Sequence, residues 1–305
     1  MPVNRCHASY HRKFSPVSSP NWDTVAIVGV GLIGGSLGLA LRERNLARRV
    51  VGVGRRASSL TAALAVGAVD AATTDLAEGV AEASAVVVCT PVSRIAEDVV
   101  RAAAAAPPGT LITDAGSVKQ SVVEGVAGLA QQQTPPLPEL RFVGSHPLAG
   151  SEKSGPQYAT ADLYVGRMVL ITPEESTDPA VTAEATALWE AVGANVQTMS
   201  PAEHDLVLAA TSHLPHALAS VLAAGIPGPW WAYSAGGLRD TTRIAAGDPE
   251  LWRQILLANR EALLGRLQQF ESDLADFRAA LAAGDGDRLL QLLALGKEQR
   301  DALGN

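Results

Sequence analysis

A glycine cluster between an apolar strand and a helix constrains this chain more than any other feature. The segment VAIVGVGLIGGSLG places Gly29, Gly31 and Gly34 directly after a run of β-branched residues. In a GxGxxG turn the glycines allow a tight turn, a close approach of a pyrophosphate and tight packing of the following helix. Phosphates then lie at the helix N-terminus, where free N–H groups favour anions. The turn is therefore predicted to bind a dinucleotide through Gly29, Gly31, Leu32, Ile33 and Gly34. The alternative is a glycine turn with a purely structural role.

The pattern of the whole chain predicts the fold class. Apolar β-branched runs alternate with Ala/Leu-rich helical stretches, which is typical of βαβ units and a parallel sheet. After Ser200 the strand signals stop, and SPAEHD begins a helical region with Ser200 as N-cap and a proline at the first helical position. We predict an α/β protein: an N-terminal Rossmann-type, mostly parallel sheet over residues 22–200, followed by an all-helical C-terminal domain over residues 201–305.

Composition and charge exclude several classes of partner. The net charge is −7 over 305 residues, and no basic stripe indicates binding to nucleic acid or to a membrane. Cys6 and Cys89 are too far apart for a disulfide framework or a metal site, so we predict a cytoplasmic protein without a bound metal. Residues 1–21 lack the apolar stretch of a secretion signal and are predicted to form a disordered tail. A small molecule is the expected ligand.

The C-terminal helical pattern raises the question of oligomeric state. Asp248-Pro249-Glu250 is predicted to begin one helix, whose apolar residues are spaced alternately by four and three. These residues are Leu263, Leu267, Phe270, Leu274, Phe277 and Leu281. A homodimer through this helical domain is one interpretation, and an intramolecular helical core is the other.

The second strand bears on which dinucleotide is bound. It ends in Gly54-Arg55-Arg56, and the acidic residue that would accept hydrogen bonds from an NAD ribose is missing. Arg55 or Arg56 can instead pair with a 2′-phosphate. The sequence therefore favours NADP, while NAD bound through other contacts remains the alternative.

One helix face after Ser200 is unexpectedly polar. At 100° per residue, Asp205, Ser212 and His216 are predicted to fall within about 40° of each other, and His213 about 80° from Asp205. Such a face in an Ala/Leu-rich helix either lines a wet cavity or makes buried hydrogen bonds. His213 is interpreted as a packing or capping residue.

Further motifs resemble those of the prephenate/arogenate dehydrogenase family of tyrosine biosynthesis. The resemblance extends over about residues 24–255 and depends on six segments, of which the fourth and fifth are the most specific. They are VGVGLIGGSLGLALRE, CTPVSRI, TDAGSVK, GSHPLAGSEKSG, EHDLVLAATSHLPHALA and LRDTTRIAAGDPELWR. The family's reaction is an oxidative decarboxylation, in which the substrate ring gives a hydride to a nicotinamide and loses carbon dioxide.

The resemblance implies catalytic roles for two residues at strand ends. By itself, a histidine before a proline is more often an ordinary loop residue, but His146 lies where a dinucleotide fold binds its substrate. His146 is expected to accept the proton of the C4 hydroxyl, since a neutral imidazole near its working pH is a suitable base. Ser117, in TDAGSVK, matches a serine that helps hold that hydroxyl and the histidine.

The resemblance also implies binding residues. Arg243 matches a substrate-binding arginine, whose planar guanidinium can bind a carboxylate bidentately, and Asp240 is expected either to orient it or to cap a turn. His216 is expected near the substrate's side chain. The remaining matched positions are Ser151 and Glu152 at the substrate mouth, and Thr90 and Pro91 beside the cofactor.

The choice of substrate stays open between prephenate and arogenate. The arginines after the second strand resemble NADP-using arogenate enzymes, whereas GSEKSG and the second histidine of SHLPH resemble prephenate-using members. We favour prephenate, because the two substrates differ where those substrate-side residues lie. The remaining alternative, a nucleotide-sensing protein without catalysis, is disfavoured by the joint presence of His146, Ser117 and Arg243.

Overall fold

The structure is a computed structural model that describes residues 22–137, 139–151 and 153–303. The predicted tail, residues 1–21, and the predicted site residue Glu152 lie outside the described residues.

Eight strands in the described residues form one sheet in the order β3-β2-β1-β4-β5-β6-β7-β8. Their bounds are β1 Trp22–Val28, β2 Ala47–Val53, β3 Ala71–Thr73, β4 Ala85–Val88, β5 Leu111–Asp114, β6 Phe142–Pro147, β7 Met168–Thr172 and β8 Asn195–Thr198. All neighbouring strands are parallel except β6 and β7, which pair in antiparallel fashion. The predicted fold class, a mostly parallel Rossmann-type sheet followed by helices, is confirmed.

Helices connect the strands and make up the C-terminal region. The first six are α1 Leu32–Glu43, α2 Ala57–Ala65, α3 Leu76–Val80, α4 Val92–Ala105, α5 Gln120–Gln131 and α6 Pro179–Ala191. The C-terminal ones are α7 Pro201–Leu208, α8 Leu214–Ala224, α9 Gly236–Thr242, α10 Pro249–Ala258, α11 Arg260–Ala283 and α12 Gly286–Ala302. The domain boundary predicted at residue 200 falls between β8 and α7, where Ser200 caps α7 by accepting a hydrogen bond from the Glu203 N–H.

Two hydrophobic layers cover the two faces of the sheet. Successive strand residues point to opposite faces, so Val25 and Ile27 of β1 pack in one layer and Ala26 and Val28 in the other. Helices α1, α2 and α6 cover the first face, and α3, α4 and α5 cover the second. Both faces being buried explains why the strands are almost continuously apolar.

The C-terminal apolar residues from Leu263 to Leu281 lie on a helix, but this helix begins later than predicted. The single helix predicted from Asp248 is two helices, because α10 ends at Ala258 and α11 begins at Arg260. At this break the backbone of Asn259 leaves the helical conformation, with φ −106° and ψ 31°. Its side-chain amide donates a hydrogen bond to the backbone carbonyl of Asp205 in α7. Leu263 is buried, but Leu274 and Leu281 are exposed in the single chain.

One helical segment among the described residues, Pro201–Ala224, is long and apolar enough to cross a membrane by length and composition. It comprises α7, a π-helical stretch over Ala209–His213 and α8. The core helix of an ordinary globular protein passes the same test. Here the segment carries buried His204 and Asp205, which hydrogen-bond to the sheet domain.

A buried ion pair joins β5, β6 and α5. The side chain of Lys119 is fully buried, and its Nζ donates to the carboxylate of Asp114 and, at 2.8 Å, to the carbonyl of Ser145. Asp114 also accepts hydrogen bonds from the N–H of Gly116 and the N–H of Ser145. Removing one member of such a pair leaves an uncompensated charge inside the protein, which costs about 3–5 kcal/mol.

We therefore expect Lys119→Met to lower the free energy of unfolding by about 3 kcal/mol or more. Lys297→Met is the matched control, since Lys297 and Asp301 form a solvent-exposed pair that contributes less than about 1 kcal/mol. Urea denaturation of both variants at pH 7 measures the difference. Equal, small losses would show that the buried pair does not stabilise the fold.

Candidate active site

The glycine turn between β1 and α1 has the geometry of a dinucleotide site. Gly29 has φ +102°, a conformation that L side chains rarely adopt, and a Cβ there would lie 2.6 Å from the Cys89 carbonyl oxygen. A Cβ on Gly34 would overlap the carbonyl oxygen of Gly29. By contrast, a Cβ on Gly31 would meet no atom within 4 Å. Two glycines are thus explained by packing, and the third borders open space where a pyrophosphate fits.

Three further observations fit a dinucleotide at this edge. Gly31 is the N-cap of α1 and offers no side-chain hydrogen bond, so the first N–H groups of α1 are free for an anion. The buried Oγ1 of Thr90, at the end of β4, has no hydrogen-bond partner among the described residues. The strand order reverses between β1 and β4, and this reversal is where doubly wound sheets bind such ligands.

The remaining predicted cofactor residues surround the same edge. Leu32 and Ile33 are half-buried in the first turn of α1, and Pro91 is exposed as the N-cap of α4. Arg55 and Arg56 are exposed after β2, and neither forms an ion pair within the part of the chain that the structure describes. Both guanidinium groups are therefore free to bind an anion.

His146 lies in β6, at the carboxyl end of the parallel strands. It is buried, with 8% of its surface exposed. The preceding residue, Ser145, is fixed by hydrogen bonds from its N–H to Asp114, from the Trp189 Nε1–H to its Oγ and from the Lys119 Nζ to its carbonyl. The backbone beside His146 is thereby held rigidly.

A chain of hydrogen bonds links His146 to the helical region. The Nδ1 of His146 lies 2.9 Å from the Nε2 of His204, and the Nδ1 of His204 lies 2.7 Å from Oδ1 of Asp205. The same carboxylate accepts hydrogen bonds from the backbone N–H groups of Lys119 and Gln120 at 2.8 and 3.0 Å. Asp205 therefore caps the N-terminus of α5 from across the domain boundary.

Burial disfavours the charged form of both histidines. It lowers the pKa of His146 well below its usual value of 6.5, and His204 and Lys119 lower it further by repulsion. Burial also lowers the pKa of His204, against the opposing effect of its hydrogen bond to Asp205. The surroundings of His146 thus favour the neutral form that a base requires, and its role as the base stays a prediction.

The helix face predicted from 100° steps does not form, because the segment is not a continuous α-helix. Residues Ala209–His213 form a π-helical stretch that ends two residues before Pro215, which lacks an N–H for the regular ladder. The side chain of Asp205 faces α5, while His216 stacks on Trp252 at 3.5 Å between ring centroids. His213 is buried, and its Nδ1 lies 2.9 Å from the Asn259 side-chain amide.

The remaining substrate-side residues make few contacts in the single chain. Ser117 is half-buried in the turn between β5 and α5, two residues before Lys119, and Ser151 is exposed. Arg243 and Asp240 are both exposed, and the described residues contain no ion pair between them. Whether Asp240 orients Arg243 or caps a turn therefore stays a prediction, with both side chains exposed.

Sequence reasoning missed four residues of this region. His204, Lys119, Asn259 and Trp252 contribute to the buried network or stack on His216. His204 carried a signal, because EHD places it beside an acid in an otherwise apolar helix. No cluster of three or more metal-ligating side chains occurs in the described ranges, and the absence of a metal stays a prediction.

Comparisons with known proteins agree with the motif resemblance. The family model for the prephenate dehydrogenase nucleotide-binding domain matches residues 37–198, and that for the prephenate dehydrogenase dimerization domain matches residues 200–295. Cyclohexadienyl dehydrogenase of Zymomonas mobilis is 37% identical, with 92% of this chain and 95% of the relative covered. Prephenate dehydrogenase of Bacillus subtilis is 34% identical, with 92% and 76% covered.

Solved structures give the same result. Prephenate dehydrogenase from Aquifex aeolicus, in complex with hydroxyphenyl propionate and NAD+, aligns with a TM-score of 0.83 and 32% identity over 92% of this chain and 98% of that one. Arogenate dehydrogenase from Synechocystis aligns with a TM-score of 0.77 and 30% identity over 92% and 99%. Family models that cover most of the chain and relatives above 30% identity agree: this chain belongs to the prephenate dehydrogenase family.

Proposed function

We propose that this chain is an oxidoreductase that converts prephenate to 4-hydroxyphenylpyruvate and carbon dioxide, with hydride transfer to NAD+ or NADP+. The observation that carries the proposal is the position of His146, a buried imidazole at the strand edge where the glycine turn and Thr90 fit a dinucleotide. The family membership and the named relatives support the same reaction class.

His146 takes the proton of the C4 hydroxyl in the proposed reaction. As the C4–H bond breaks, the hydroxyl gains carbonyl character and its proton becomes acidic. The bond between C1 and the ring carboxylate breaks next, and its electron pair completes the aromatic ring. The proton then returns from His146 to the phenolic oxygen, so that no net proton is released. Ser117, half-buried at the neighbouring strand end, is proposed to hold the hydroxyl.

The dinucleotide supplies a hydride acceptor when it is bound. In our proposal the N-terminus of α1, with Gly29, Gly31 and Gly34, holds its pyrophosphate. The dinucleotide would lie where the strand order reverses between β1 and β4, bordered by Leu32, Ile33, Thr90 and Pro91. Arg55 and Arg56, exposed and unpaired within the described chain, favour the 2′-phosphate of NADP.

The substrate's two carboxylates require fixed cations. Arg243 suits this task, because it is exposed and no acid in the described ranges neutralises it. His216, held flat against Trp252, is proposed to border the substrate's side chain, with Ser151 and Glu152 at the mouth. Asp240, three residues before Arg243, is proposed as a further polar group beside it.

Assembly as a homodimer through residues 201–305 is a further part of the proposal. The exposed Leu274 and Leu281 support it, because an intramolecular core would bury this stripe. The second matched family model is described as a dimerization domain. Residues 22–200 remain proposed as the dinucleotide-binding domain, and the cytoplasmic location remains a prediction.

An assay matrix of two substrates and two cofactors tests the proposed function. We expect reduced cofactor to appear with prephenate, and we expect His146→Asn to lower kcat about 10²-fold or more while KM changes little, as for the loss of an acid/base group. Fluorescence titration with cofactor confirms that the variant still binds. Turnover of arogenate alone would reassign the substrate, and unchanged kcat in His146→Asn would refute the histidine's role.

The pH dependence follows from the burial of His146. The base works in its neutral form, and a pKa lowered below 6.5 keeps that form populated as the pH falls through 6.5. We therefore expect kcat/KM for prephenate to stay level through pH 6.5 and to decline only at lower pH. A decline centred at or above pH 6.5, reversible on returning to pH 8, would contradict this expectation.

Cofactor preference is tested at the end of β2. If Arg55 binds a 2′-phosphate, Arg55→Ala should raise KM for NADP about tenfold and leave that for NAD within about twofold, since a charge-assisted hydrogen bond is lost only with NADP. Arg48→Ala is the matched control, because Arg48 is exposed at the opposite end of the same strand. Equal changes for both cofactors would show that Arg55 does not discriminate.

A further inference from the structure

We propose that His204 and Asp205 are positioning residues that fix the tautomer of His146, so that Nε2 of His146 is the nitrogen that accepts the substrate proton. The proposal rests on the proposed function, because it takes His146 as the base. His204 and Asp205 lie behind that base and join it to the helical domain.

The carboxylate of Asp205 sets the direction of the hydrogen bonds. Its Oδ1 accepts the backbone N–H of Lys119 at 2.8 Å and its Oδ2 accepts that of Gln120 at 3.0 Å. Both oxygens are thus acceptors, and the group lies at the N-terminus of α5, where the helix dipole favours an anion. The Nδ1 of His204, 2.7 Å from Oδ1, must therefore carry its proton and donate it.

The protonation of the next nitrogens follows from this. A neutral imidazole has one N–H, so His204 with a proton on Nδ1 has a bare Nε2. This Nε2 lies 2.9 Å from Nδ1 of His146, which must therefore be the donor. His146 then has its own bare nitrogen at Nε2. The opposite arrangement would bring the lone pair of His204 Nδ1 against a carboxylate oxygen at 2.7 Å.

The same hydrogen bonds stabilise the protonated base during the reaction. Burial disfavours an imidazolium at His146, and the nearby Lys119, His204 and His213 contribute repulsion. When His146 accepts a proton, its Nδ1–H donates more strongly to His204, whose Nδ1–H in turn donates more strongly to Asp205. The negative charge of Asp205 thereby compensates the new positive charge through one intervening ring.

The residues of this hydrogen-bond chain belong to two regions. His146 and Lys119 lie in the sheet domain, and His204 and Asp205 lie on α7. Asn259, between α10 and α11, also donates to the backbone carbonyl of Asp205 at 2.8 Å. The tautomer of the base is therefore set only when α7 is packed against the start of α5.

A pair of substitutions at His204 separates positioning from packing. In His204→Gln the amide oxygen can accept from His146 and the amide N–H can donate to Asp205, so we expect kcat to fall less than about tenfold. His204→Leu removes both bonds, and we expect kcat to fall about 10²-fold with KM for prephenate within about threefold. Equal losses in the two variants would overturn the proposal.

Asp205→Asn removes the charge at the far end of the hydrogen-bond chain. We expect kcat to fall at least tenfold with little change in KM, and thermal unfolding and cofactor titration show whether the variant is folded. Asp98→Asn is the matched control: it also removes a buried carboxylate charge, but Asp98 pairs with Arg94 within α4 and has no contact with the hydrogen-bond chain among the described residues. We expect its melting temperature to fall and its kcat to stay within about threefold.

A direct measurement needs no substrate. In protein labelled with ¹⁵N-histidine, a bare ring nitrogen and an N–H nitrogen have distinct chemical shifts, and His146→Asn and His204→Leu assign the signals. We expect a bare Nε2 at His146 and a bare Nε2 at His204. A protonated Nε2 at His146 in the folded, neutral protein would overturn the proposal. Absence of turnover with every substrate and cofactor would refute the proposed function alone, and the tautomers would still be tested by these signals.

Discussion

The candidate site depends on the hydrogen bonds that the Asp205 carboxylate accepts at the start of α5. The carboxylate accepts the first N–H groups of α5 and thereby attaches the helical region to the sheet domain at the end of the parallel strands. The helix that it caps begins just after Lys119, whose side chain forms the buried pair with Asp114 and bonds to the strand residue before His146. The start of α5 therefore fixes the backbone of β6, the contact between the two domains and His204, the hydrogen-bond partner of His146. Loss of this contact would disturb all three together.

The buried charges also balance in a way that suits proton transfer. Asp114 and Asp205 contribute two negative charges and Lys119 one positive charge, all at positions shielded from water. With neutral histidines this group carries a net negative charge, and with a proton on His146 the group is neutral. In the proposed mechanism the proton is taken up by a region whose net charge compensates it, while desolvation and repulsion from His204, Lys119 and His213 lower the pKa of the histidine. A fixed carboxylate in a dry site interacts more strongly than one in water.

The sequence was sufficient for the fold class and for residues at strand ends. Strand periodicity and the glycine turn specify a parallel sheet, and a parallel sheet brings the ends of its strands to one edge, so Gly29, Thr90 and His146 could be located from the sequence alone. Short elements such as β3 and α3 escaped because three to five residues carry too little periodicity. The network behind His146 could not be predicted, because Lys119, His204 and Asn259 are separated by long stretches of chain and meet only through helix packing.

The π-helical stretch explains why regular 100° steps do not describe the segment from Asp205 to His216. A regular helix would bring Asp205 and His216 toward one face, but a wider turn over Ala209–His213 rotates α8 relative to α7. Asp205 can then face the start of α5 while His216 lies against Trp252. The side chain of Asn259 connects α7 to the π-helical stretch, because it bonds both to the backbone carbonyl of Asp205 and to His213. Pro215 follows this stretch and has no N–H to donate to the helical ladder. The irregular turn therefore lets Asp205 and His216 contact different parts of the molecule, which a straight helix would place on one face.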